Sequence, residues 1–101
     1  MDHCETAKLF KAFCDERRLE ILDQLRSGEK CAKDLIEQLD IGQSTLSHHM
    51  KILCDSGVVS LRKRGKYAYY SINAAEGSHI KEVIDALVKI EGYKSRGRKE
   101  I

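Results

Sequence analysis

The chain has 101 residues, 34% of them charged and 42% hydrophobic, with no proline and no tryptophan. That length supports one small core, too little for two domains, and leaves scant room for a buried catalytic pocket. The formal net charge is +2, and its distribution says more than its size.

Residues 1–40 carry seven Lys/Arg against ten Asp/Glu, whereas residues 41–72 carry Lys51, Arg62, Lys63, Arg64 and Lys66 against Asp55 alone. An acidic body with one basic segment is the electrostatic footprint of a protein that meets a polyanion on one face. No apolar run approaches the roughly 20 residues of a membrane span, and Met1-Asp2-His3-Cys4 has no apolar signal-peptide stretch. The expected location is the cytoplasm, with no membrane partner. Cys4, Cys14, Cys31 and Cys54 are then expected as reduced thiols.

Taken in chain order, Leu9, Phe10 and Phe13 predict a first amphipathic helix over Glu5–Phe13. Asp15 is placed to cap a second, with Leu19, Leu22 and Leu25 as its stripe and Ser27-Gly28 as its end. A short third helix over Ala32–Leu39 offers Leu35, Ile36 and Leu39, and Asp40-Ile41-Gly42 makes a tight turn. The fourth helix runs from Gln43 to Ser56 and stops at Gly57. The period then changes. Val58–Arg62 and Tyr67–Ile72 read as strands joined by a turn at Lys63-Arg64-Gly65-Lys66. Ala68, Tyr70 and Ile72 share one strand face, taken as the core face because of Ile72, with Tyr67 and Tyr69 pointing away. Asn73 with Glu76 resembles a capping box for a last helix.

The order ααααββα, in a mainly α member of the α+β class, predicts a winged helix-turn-helix over residues 1–91. Residues 92–101 read as a basic, disordered tail. A DNA major groove about 12 Å wide accepts one helix, and the hairpin then reaches the flanking backbone. On the fourth helix Leu46, His49, Met50 and Leu53 fall on one side, and Ser44, His48, Lys51 and Asp55 opposite, with Thr45 and Ser47 on the flanks. His48 is therefore expected outward and His49 in the core. On the last helix Ile80, Val83, Ile84 and Leu87 form a stripe that a lone domain of this size cannot fully cover.

The blocks Leu9-Phe10-Lys11-Ala12-Phe13, Arg18-Leu19-Glu20-Ile21-Leu22, Gln43-Ser44-Thr45-Leu46-Ser47-His48-His49-Met50-Lys51 and Gly65-Lys66-Tyr67-Ala68-Tyr69-Tyr70 resemble the ArsR/SmtB family of bacterial repressors. The resemblance covers about residues 5–90. It implies a homodimer built on the first and last helices, a double-stranded DNA operator with two inverted half-sites, and repression released by an inducer. It also implies that Gln43, Ser44, Thr45, Ser47 and His48 read the DNA, with Arg62, Lys63, Arg64 and Lys66 on the wing.

Arsenic and cadmium/lead sensors of that family carry a Cys-x-Cys pair followed by Asp-Leu at the start of the third helix. This chain has Cys31-Ala32-Lys33-Asp34-Leu35, so lysine replaces the second cysteine. His79 stands without a second histidine on the last helix, so the family's other site type is not expected there. A soft metalloid such as As(III) wants several thiolates. Cys4 and Cys14 are the candidates to join Cys31, but within one helix they would stand ten residues, about 15 Å, apart. Either an arm before the first helix folds back or the partner subunit contributes one. Cys31 occupies the N-cap slot of the third helix, where the helix's positive end, Lys30 and Lys33 favour a thiolate and Glu29 and Asp34 oppose it. Cys54, beside the core stripe, reads as a structural thiol. No cofactor is obligatory on this reading. The inducer is As(III), another soft metal, or an oxidant or persulfide acting on Cys31. The alternative is a DNA-binding or dimerisation module that has lost sensing. A thiol redox enzyme would need Cys-x-x-Cys near a βαβ pattern, and the sequence has neither.

Overall fold

A computed structural model of the chain describes residues 2–92. Its elements are α1 (His3–Lys11), α2 (Glu16–Leu25), β1 (Lys30–Cys31), α3 (Ala32–Leu39), α4 (Gln43–Asp55), β2 (Val59–Arg64), β3 (Tyr67–Ile72) and α5 (Ala74–Leu87). The expected ααααββα order is present with one addition. β1 pairs antiparallel with β3, so the hairpin becomes a three-stranded sheet in the order β1-β3-β2. Two residues carry no hydrophobic period, so periodicity does not find such a strand.

Short polar side chains set most of the helix starts. Asp2 accepts hydrogen bonds from the amides of Cys4 and Glu5 and starts α1 two residues earlier than its apolar pattern suggests. Asp15 does the same for Arg17 and Arg18 at α2, and Asn73 for Glu76 at α5. Asp40 closes α3 in the left-handed region at φ 54°, which aims the chain into the turn before α4. At the hairpin tip Gly65 supplies φ +64°, a conformation that costs glycine little.

Leu9, Ala12, Ile21, Leu25, Leu35, Leu39, Leu46, Met50, Leu53, Val58, Val59 and Ile80 form the core between α1–α4 and the base of the wing. Two expectations need correction. The buried line of α2 is Arg18, Ile21 and Leu25, while Leu19 is half exposed. Arg18 takes the core slot because its hydrogen-bonding groups find partners there. The inner face of β3 is as expected, since Tyr70 packs on the core, but Ile72 lies at its margin and is substantially exposed.

The α5 stripe divides in two. Ile80 and Val83 are buried, whereas Ile84 is 44% and Leu87 47% exposed, followed by exposed Val88 and Ile90. Among the described residues no helix is long and apolar enough to cross a membrane. The tail predicted for residues 92–101 lies, from residue 93 onward, outside the described residues.

Candidate nucleic-acid interface

Leu46, Met50 and Leu53 anchor α4 to the core, and that anchorage turns the opposite face outward. Gln43, Ser44, Thr45, Ser47, His48 and Lys51 are all exposed, as the helical wheel predicts, and His49 is buried. These side chains are short or slender, carry donors and acceptors, and include no acid, so they can approach base edges and phosphates.

The start of α4 adds a feature that side-chain patterning does not register. Its N-cap is Gly42, which brings no capping side chain, and its first turn holds no acidic residue. The first amides of the helix, at the positive end of the macrodipole, are therefore left for an anion. A DNA phosphate has the chemistry to use them.

Behind α4 stands the wing. β2 and β3 pair with Arg62 opposite Tyr69 and Arg64 opposite Tyr67, so these four share one face. Lys63, opposite Ala68, points to the other. The basic residues do not stand alike. Both Nε and Nη2 of Arg62 donate to the Glu29 carboxylate, at 3.1 and 2.8 Å, and its guanidinium lies 5.1 Å from the Tyr69 ring centre. That contact holds the Glu29 carboxyl below its usual range. Lys63, Arg64 and Lys66 make no salt bridge among the described residues, although the Lys66 ammonium sits 5.9 Å from the Tyr67 ring centre. Lys51 pairs with Asp55 at 3.0 Å on an open surface, a contact that water screens and a phosphate can replace. The partner of Arg62 is 33 positions away in sequence, too distant for local pattern reading.

A cleft of about 290 Å³ separates α4 from the wing, lined by Ser47, Met50, Lys51, Cys54, Leu61 and Tyr70. Cys54 is half-buried there. Burial first, and Asp55 second, push its thiol up, which suits a structural role.

The cysteines considered for an inducer are spread along the chain. Cys31 is half-buried at the N-cap of α3, as expected, without a hydrogen bond from its side chain to the helix amides. It lies opposite Tyr69 in the sheet register, so it is paired directly with the wing strand β3. Cys4 is exposed in the first turn of α1, and Cys14 is exposed just past its end, its thiol donating to the Phe10 carbonyl at 3.3 Å. Cys4 lies within α1, which begins at His3, rather than on an arm folded back toward Cys14 and Cys31. Among the described residues of one chain, no three His, Cys, Asp or Glu side chains come together to hold a metal ion.

A polar helix presented from a helix-turn-helix and flanked by a basic hairpin defines a winged helix-turn-helix DNA-binding regulator. Comparison with known proteins gives the family. The model for "Bacterial regulatory protein, arsR family" matches residues 15–60. The arsenical resistance operon repressor of Staphylococcus xylosus is 41% identical over 87 residues, 86% of this chain and 84% of that protein. Among solved structures, HlyU from Vibrio cholerae N16961 has 31% identity and a TM-score of 0.68 over 85% of this chain and 94% of that one. The homodimeric winged helix-turn-helix domain Mb0332 from Mycobacterium bovis, a possible ArsR-family transcriptional regulator, gives a TM-score of 0.68 at 26% identity, covering 82% and 77% of the two chains. This chain belongs to the ArsR family of bacterial regulatory proteins. It is a DNA-binding transcriptional regulator and not an enzyme.

Proposed function

We propose that the protein is a homodimeric repressor that reads two inverted half-sites with α4 and is released by a thiophilic inducer. The observation that carries the DNA-reading part is the exposed, acid-free face Gln43–Lys51 at a helix start whose amides are uncapped. Gln43, Ser44, Thr45, Ser47 and His48 are assigned to base edges and nearby phosphates. Lys51, Lys63, Arg64 and Lys66 are assigned to phosphates, and Arg62 joins them only by leaving Glu29.

Support for the dimer comes from Ile84, Leu87, Val88 and Ile90, an exposed apolar run that packing against α1 of a partner would cover. The two-fold axis then sets the two α4 helices about one DNA turn apart.

Cys31 is the proposed core of the inducer site, with Cys4 and Cys14 completing a three-thiolate set across the dimer. The cross-dimer route is preferred because Cys4 and Cys14 stand at opposite ends of α1. The names of several relatives, among them arsenical, cadmium and mercury resistance regulators, favour a soft metal or metalloid. Closing such a site would strain the start of α3, the helix that the 40–42 turn joins to α4, and differential fit of that kind shifts a DNA-binding equilibrium.

The test adds As(III) to the protein bound to a DNA duplex enriched by the wild-type chain from a random library. Release of wild type and of Cys54→Ser, with retention of Cys31→Ser on the DNA, is the expected result. Normal release of Cys31→Ser would move the site elsewhere. If neither As(III) nor another soft metal releases any variant, thiol oxidation or a module without sensing becomes the better reading.

A further inference from the structure

The reading helix is held from behind by a polar contact inside an otherwise apolar core. His49 is 8% and Arg18 6% exposed. Arg18 Nη1 lies 3.1 Å from Nδ1 of His49, while its Nε and Nη2 donate to the carbonyls of Ala12 and Lys11 at 3.0 and 3.2 Å. One guanidinium thus ties the carboxyl end of α1 to the middle of α4. The cation sits where the exposed carbonyls of α1 concentrate negative charge, which stabilises it there.

The contact also fixes the state of the imidazole. A guanidinium has donors and no acceptor, so Nδ1 of His49 must accept, and the ring is neutral with its proton on Nε2. A proton on Nδ1 would set donor against donor and cation against cation at 3.1 Å. The charged groups acting on His49 are Asp15, Arg17 and Arg18 from α2 and His48 beside it on α4, and α1 contributes carbonyls through Arg18. Burial, Arg18, His48 and Arg17 all depress its pKa, and Asp15 alone works the other way.

We propose that Arg18 and His49 are the positioning pair of DNA reading: they fix how α4 is turned against the α1–α2 junction, and they do so only while His49 is neutral. His49 is adjacent to His48 and two residues from Ser47, both assigned to the DNA, so a small turn of α4 at this bond displaces the reading side chains directly. The pair also gives α1 a polar connection, through Arg18, to the residue next to His48 on α4. This inference rests on α4 being the reading helix, as proposed above.

Two variants separate positioning from bulk stability. His49→Gln keeps an acceptor for Arg18 and removes the titration, whereas His49→Leu fills the space without an acceptor. Binding is measured with the enriched duplex and with a scrambled duplex of equal length, at pH 8.0 and pH 5.5. At pH 8.0, folded His49→Leu should lose about tenfold or more for the enriched duplex, the effect of one buried hydrogen bond to a charged group, and much less for the scrambled one. His49→Gln should recover most of that loss and should not show the extra fall in discrimination that wild type shows at pH 5.5. Equal discrimination by His49→Leu and wild type, or parallel pH profiles for wild type and His49→Gln, would overturn the proposal. A measurement without DNA decides the pair separately, by ¹⁵N resonances of the His49 ring in the free protein. A proton on Nε2 and an acceptor Nδ1 are expected, and the opposite tautomer would refute the pair. If wild type enriches no duplex at all, the reading of function fails, while the ring tautomer still judges this contact.

Discussion

The two ends of the molecule are finished to different degrees. The reading helix and wing form a complete surface within one chain: core packing lies behind α4, polar side chains stand in front, and the Glu29–Arg62 pair braces the hairpin. The end of α5 and the residues just after it leave Ile84, Leu87, Val88 and Ile90 in water. The first surface suits a polyanion, and the second is the one the proposed dimer would cover. On that proposal DNA contact is a property of the single chain, whereas two-fold DNA reading is a property of the pair.

The largest effect is expected where the unfinished face is broken. Ile84→Asp places a charge in the proposed interface, so sedimentation at micromolar concentration should show monomers. Affinity for the enriched duplex should fall to the non-specific level, on the order of 10³ weaker. A dimer of unchanged affinity would remove Ile84 from the interface.

Next come the two halves of the finished face. Ser44→Ala or His48→Ala should cost about 1–3 kcal/mol of discrimination between enriched and scrambled DNA, with little change in the salt dependence. Arg64→Ala combined with Lys66→Ala should instead weaken both duplexes by similar factors. It should also flatten the plot of log K against log salt by up to about 2 per protomer, since each phosphate contact contributes about 0.9. A wing variant that loses discrimination at an unchanged salt slope would reverse these roles.

A smaller effect tests the brace. Glu29→Gln frees Arg62 from its carboxylate, so affinity for any DNA should rise a few fold and the salt slope steepen by about 0.9 per protomer. An unchanged slope would mean that Arg62 never reaches a phosphate.

The smallest is a pH effect on folding. The pKa of His49 is lower in the folded protein than in the unfolded chain, so between those two values the unfolded state binds more protons. Stability therefore falls as pH drops below the ordinary histidine range of about 6.5, and this loss is complete below the folded value. Urea midpoints at pH 7.5 and 5.5 should differ more for wild type than for His49→Gln. An equal difference would mean that His49 does not contribute.

Much of this arrangement is legible in the sequence because it is local. Asp15, Asp40-Ile41-Gly42 and Gly57 punctuate the helices, and the change of period at Val58 marks the wing. The outward His48 and inward His49 follow from one helical wheel. What pattern reading misses is long-range and polar. Ranking by hydrophobicity assigns Leu19 to the core, while Arg18 holds the slot through bonds to Ala12, Lys11 and His49, the last 31 positions away. A hint was present, because a histidine on an apolar helix stripe must find a buried partner. Arg62 likewise reads as one more wing cation until folding brings Glu29 beside it. Of the α5 stripe, periodicity identifies the residues but not which of them the chain itself covers, a distinction set by packing geometry.

The most direct test of paired reading is the stoichiometry and affinity of the protein on its enriched duplex, followed by native mass spectrometry with one half-site intact and the other scrambled. The account predicts two chains per duplex with two inverted half-sites about one helical turn apart, and a loss of about 100-fold or more when either is scrambled. One chain per duplex, bound equally well with a single half-site, would contradict it.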